Sequence, residues 1–115
     1  MKKSDYLEVG INIKDAVPGN AIHPGEELRE ELKDRRITQK HFAEISRILP
    51  SHLNEIIKGK RKINAELALL IGITLKIDPI FWLKSQMIYE LDLAKIKHKK
   101  KIIAMRKANK LAITI

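Results

Sequence analysis

Residues 38–61 read TQKHFAEISRILPSHLNEIIKGKR, and the spacing within this stretch decides the fold. Thr38 is an N-cap type of residue at the head of residues 39–45, where Phe42 and Ile45 are expected to turn inward. Pro50 suits the first turn of a second helix, which carries Leu53, Ile56 and Ile57 to a stop at Gly59. Two short helices about four residues apart, with the small Ala43 where they must approach closely, predict a helix-turn-helix. The outer positions of the second helix, Pro50, Ser51, His52, Asn54 and Glu55, are candidate contacts to base edges. Thr38, Gln39 and Lys40 at one helix N-terminus, with Lys58, Lys60 and Arg61 at the far end of the unit, are candidate contacts to phosphate. An ordinary helical hairpin with a solvated basic loop fits the same periodicity.

Outward from this unit the pattern stays helical. Pro24, Gly25, Glu26 and Glu27 start a helix with Leu28 and Leu32 at i, i+4, closed by Lys33, Arg35 and Arg36 as the helix dipole favours. Asn64 caps residues 65–75, a run so apolar that it is expected at the centre of the core. Asp78 and Pro79, cap then proline, open a fifth helix that runs to about His98. The fold class expected is therefore all-α, with five helices over residues 22–93. Helix five has two apolar stripes, one of Ile80, Leu83, Met87, Leu91 and Ala94 and a second of Phe81, Trp82, Ser85, Ile88 and Tyr89. One stripe should face the core. The other would be exposed in so small a monomer, so Ile80, Leu83, Met87 and Leu91 are candidates for a homodimer interface, unless the tail folds back over them.

Upstream lies an arm, residues 1–21. Within residues 6–14, YLEVGINIK, the apolar Leu7, Val9, Ile11 and Ile13 alternate with Glu8, Gly10, Asn12 and Lys14 at the strand period. A lone strand cannot satisfy its own backbone, so it is expected either to find a sheet edge in another chain or to pack as an extended arm.

The whole chain has 115 residues, 44% apolar and 32% charged, enough for one core and too short for two. Its net charge of +9 is unevenly placed: residues 1–92 carry 15 Lys/Arg against 14 Asp/Glu, whereas residues 93–115 carry eight and none. The basic extension, residues 94–115, reads as a continuation of helix five across phosphate or a dimer mate, as a solvated tail, or as an amphipathic segment on a membrane surface. There is no cysteine and no apolar run long enough to span a bilayer, so a cytoplasmic protein is expected. His23, His41, His52 and His98 are scattered, with no pair at metal-ligand spacing on one helix face. No phosphate loop or nucleophile signature is present, and Asp78, Glu26 and Glu27 read as cap and dipole partners. The expectation is a non-enzyme without metal, cofactor or small-molecule substrate.

Residues 22–93 also resemble the HigA/VapI-type antitoxins, a branch of the Xre-like helix-turn-helix proteins. The matching words are His23-Pro24-Gly25-Glu26, Thr38-Gln39-Lys40, Ala43-Glu44, Ser51-His52-Leu53, Gly59-Lys60-Arg61, and Pro79 with Phe81-Trp82-Leu83 and Gln86. The resemblance implies a five-helix fold of the lambda-repressor type and a homodimer that binds a palindromic operator and represses its own operon. It also implies a cognate HigB-like toxin, an mRNA-cleaving ribonuclease; the orphan strand with Leu7, Val9, Ile11 and Ile13 is expected to add to that toxin's β-sheet edge or to pair with its symmetry mate across the dimer. An Xre-like regulator without a toxin partner is the alternative. The chain departs from the family pattern where glycine is usual at Arg47 and Lys76, a capping Ser or Thr at Leu49, a buried aliphatic at Ser46, and an acid at Ile80.

Overall fold

In the computed structural model, which describes residues 17–113, six helices follow one another: α1 (Pro24–Asp34), α2 (Gln39–Ser46), α3 (Pro50–Ile57), α4 (Ala65–Leu75), α5 (Pro79–Lys97) and α6 (Lys99–Ile113). No strand occurs among the described residues, and the strand expected over residues 6–14 lies outside them. Five helices were expected; the sixth is the basic extension, which is helical to Ile113. Ile22–Tyr89 form a compact unit, and the described residues on either side of it belong to a second.

Local chemistry sets the helix starts. Nδ1 of His23 accepts the Gly25 N–H at 2.9 Å, Oγ1 of Thr38 accepts the His41 N–H at 3.1 Å, and Oδ1 of Asn64 accepts the Leu67 N–H at 2.9 Å. Asp78 accepts from the Ile80 N–H at 2.9 Å. Each bond satisfies a donor that the first helical turn leaves without an intrahelical partner.

The core of the Ile22–Tyr89 unit draws on every one of its helices: Leu28 and Leu32 from α1, Phe42 and Ala43 from α2, Leu53 and Ile56 from α3, Leu67, Ala68, Ile71 and Leu75 from α4, and Trp82 from α5. Ile48 and Ile63 plug it from the connections. Burying each large side chain contributes about 1.5–3 kcal/mol, so no single helix is stable apart from its neighbours. Polar ties pin the chain ends of these helices: Arg35 Nη1 donates to the Leu75 carbonyl (2.8 Å), and Ser85 Oγ donates to Glu27 Oε2 (3.2 Å). Gln86, 4% exposed, accepts the buried Ile63 N–H at 2.9 Å and so fastens the strap after α3 to α5.

Two expectations need correction. Ile45 does not face the core; it is 48% exposed, and the buried positions of α2 are Phe42, Ala43 and Ser46. Ser46 can occupy the inner line because its Oγ accepts the Ile48 N–H (3.3 Å), while Ile48 supplies the aliphatic bulk. The two stripes of α5 do not separate into core and surface. Its fully buried residues are Trp82 and Gln86, with Leu83, Ser85 and Tyr89 half-buried, and Phe81 and Ile88 are exposed. At the two positions where the family pattern has glycine, Arg47 (φ 62°, ψ 22°) and Lys76 (φ 58°, ψ 41°) both adopt the left-handed conformation that glycine would take freely. Among the described residues no helix is long and apolar enough to cross a membrane, and no three His, Asp or Glu side chains gather as metal ligands.

Candidate nucleic-acid interface

Helix α3 is held by its inner face. Leu53 and Ile56 are wholly buried, which turns Ser51, Asn54, Glu55 and Lys58, at i, i+3, i+4 and i+7, to the opposite side. Pro50 and Ser51 are exposed and His52, Asn54 and Glu55 half-buried, so all five predicted base-contacting residues remain accessible. Leu49 is the N-cap of α3. It makes no side-chain capping bond and is 59% exposed, a position that sequence reasoning registered only as a departure from the family pattern.

The predicted phosphate contacts fall into two groups. Thr38 and Lys40 are exposed and Gln39 half-buried at the start of α2, where Thr38 Oγ1 is already engaged as the cap. Lys58 and Lys60 are exposed beyond the end of α3. Arg61 differs from them. Its Nη2 lies 3.1 Å from Glu55 Oε1, and its Nε is buried without a hydrogen-bond partner, so the structure couples one predicted phosphate contact to one predicted base contact. The Glu55 carbonyl meanwhile accepts the N–H groups of both Lys60 and Arg61, at 2.8 and 3.2 Å.

That turn is joined to the start of α1, which explains why the HPGE and GKR words belong together. Gly25 packs so closely on α3 that a Cβ there would fall on the Ile56 carbonyl. Gly59 takes a φ of 73°, and a Cβ on it would lie 3.6 Å from the His23 ring. The imidazole of His23 stacks edge-on with Tyr89, ring centroids 4.8 Å apart. Burial pushes its pKa below the ordinary 6.5, against the raising influence of the Glu26 charge and of a hydrogen bond with the Arg61 backbone. One neutral histidine thus fixes the start of α1 and the cationic turn after α3. Sequence reading placed His23 among the scattered histidines and in the HPGE word, and did not foresee the joint with the turn.

Of the predicted interface residues, Ile80, Met87 and Leu91 are exposed, while Leu83 is half-buried against the core. Leu7, Val9, Ile11 and Ile13 lie outside the described residues.

No protein-family model matches the chain. It is 40% identical over 75 residues to Virulence-associated protein I of Dichelobacter nodosus, a match covering 64% of this chain and 69% of that protein. Its structure is similar to that of an addiction module antidote protein of the HigA family from Coxiella burnetii, with a TM-score of 0.68, 34% identity, and coverage of 74% of this chain and 94% of that one. It is also similar to the structure of the Pseudomonas aeruginosa antitoxin HigA with the higBA promoter, with a TM-score of 0.67, 31% identity, and coverage of 72% and 91%. With 31–40% identity to these proteins over 69–94% of their length, the chain belongs to the HigA/VapI-type antitoxin family.

Proposed function

We propose that the protein is a sequence-specific DNA-binding antitoxin that binds a palindromic operator as a homodimer, represses its own operon and neutralises a HigB-like mRNA-cleaving toxin. The observation that carries this reading is the outward face of α3, short, polar and rigidly seated, with exposed lysines at its end. Residues 22–93 form the DNA-binding domain, residues 1–21 the toxin-directed arm and residues 94–115 the basic extension. In the major groove, Pro50, Ser51, His52, Asn54 and Glu55 meet base edges. Thr38, Gln39, Lys40, Lys58 and Lys60 hold phosphate, and Arg61 shares its guanidinium between Glu55 and the DNA backbone. A two-fold dimer through α5 sets the second recognition helix about 34 Å away, one turn along the duplex. The structure of the Pseudomonas aeruginosa antitoxin HigA with the higBA promoter supports this reading.

The test is a comparison of two variants on the protein's own upstream DNA and on random duplex. Asn54→Ala is expected to weaken operator binding by about 1–3 kcal/mol while sparing random DNA. Lys60→Ala lowers both and flattens the dependence on salt. Equal losses from both variants on both DNAs would contradict base readout. For the toxin arm, deletion of residues 1–15 should leave operator binding intact and abolish rescue of cells that co-express the adjacent toxin gene, by addition of the arm's strand to the toxin's sheet edge.

A further inference from the structure

Leu49 is a large aliphatic side chain, 59% exposed, at the very start of the helix proposed to enter the major groove. Nothing in the fold requires it there. A capping Ser or Thr would satisfy an unpaired helical N–H, whereas Leu49 makes no side-chain capping bond and leaves that stabilisation unrealised. It is also flanked by Pro50 and Ser51, both exposed, so the tip of the helix presents two consecutive apolar side chains before its first hydroxyl. The N-terminal residues of a recognition helix are those that reach base edges. Donors and acceptors apart, the bulkiest apolar group that unmodified base pairs present in the major groove is the C5-methyl of thymine, where cytosine offers only a C5–H. Leucine can neither donate nor accept a hydrogen bond. The only favourable exchange open to it on a base edge is removal of its own methyls and a thymine methyl from water.

We propose that Leu49 is a specificity-determining residue that reads a thymine C5-methyl in each operator half-site. The inference rests on the operator-binding reading above and names a contact that the polar residues of α3 cannot make. Burial of one methyl corresponds to about a fourfold change in affinity.

The experiment starts with duplexes enriched by the full-length wild-type chain from a random library, in which thymines are then replaced by deoxyuridine one symmetric pair at a time. Wild type should lose about fourfold per half-site at a single pair of positions, and Leu49→Ala should bind the thymine duplex more weakly and be indifferent to deoxyuridine at that pair. Leu49→Ser separates this role from a structural one: it restores a capping side chain, so the fold should become more stable while the thymine preference disappears. Circular dichroism confirms folding of both variants, which is expected because Leu49 lies outside the core. Enriched duplexes to which wild type binds equally with thymine or deoxyuridine at every position would overturn the proposal while leaving operator binding standing. A Leu49→Ala variant as sensitive to deoxyuridine as wild type would also overturn it. Failure of wild type to enrich any duplex would overturn the operator reading and this inference with it.

Discussion

Glu55 Oε1 and Arg61 Nη2 stand 3.1 Å apart, so a carboxylate on the outer face of α3 holds the guanidinium that follows the Gly59 turn. In the free protein each neutralises the other. The pair is partly solvated and contributes little to stability, about 0–1 kcal/mol, so its effect is felt chiefly in DNA binding. Glu55→Gln keeps the shape of the side chain and releases Arg61 toward phosphate. Affinity for random DNA should rise several-fold, and the slope of log affinity against log salt should steepen by about one per protomer. Anisotropy titrations at several salt concentrations measure both; an unchanged slope would confine Arg61 to the turn.

His23 makes the fold sensitive to mild acid. Burial favours its neutral form, so the unfolded chain takes up a proton at higher pH than the folded one does. Its contribution is complete above about pH 6.5 and is lost as the pH falls through the lower folded value. Protonation also places a proton on Nδ1, the atom that accepts the Gly25 N–H. His23→Asn keeps an acceptor and removes the titration. Urea unfolding at pH 7.5 and 5 should show a larger loss of stability in wild type than in the variant.

The exposed side chains of Ile80, Met87 and Leu91 give a direct test of the proposed dimer. Met87 is 59% exposed, so Met87→Glu leaves the core intact. It places a charge where association would remove apolar surface from water. Sedimentation should report a folded monomer with weakened operator binding. A variant that remains dimeric at micromolar concentration would move the interface elsewhere.

Arg47 holds a left-handed conformation that costs a side-chain-bearing residue about 1–2 kcal/mol relative to glycine. Arg47→Gly should therefore stabilise the turn between α2 and α3 by about 1 kcal/mol, partly offset by the greater freedom of glycine in the unfolded chain. Thermal unfolding should rise by several degrees. An unchanged or lower melting temperature would mean that the Arg47 side chain makes compensating interactions.

What could be read in the sequence was mostly local. Thr38, Asn64 and Asp78 act as caps within three residues of themselves, and the helix starts followed directly from them. Ile45 illustrates the limit. Hydrophobicity alone favours burying it, yet the inner line of α2 runs through Phe42 and Ser46, and a serine suffices there because Ile48 reaches in from the turn. Long-range polar ties were not legible. Arg35 with Leu75, Ser85 with Glu27 and Gln86 with Ile63 are 40, 58 and 23 residues apart, and no periodicity marks their ends as partners. On the interface, the polar face of α3 was evident from spacing. The diversion of Arg61 was not, since it depends on where the Gly59 turn aims the side chain.

Helix α5 grips the strap after α3 from one side, through Gln86, and offers Met87 on another, a single residue later. Successive residues of a helix are rotated by about 100°, so these two functions are locked in angular phase. Inserting one alanine between Gln86 and Met87 would leave the grip on Ile63 untouched and swing everything beyond it by that angle. The two recognition helices of a dimer built on α5 would then be turned out of alignment with a B-DNA duplex, and Tyr89 would be carried away from the His23 ring. In a dimer so built, the helical repeat of α5, rather than the strength of any contact along it, would set which half-site spacing is accepted.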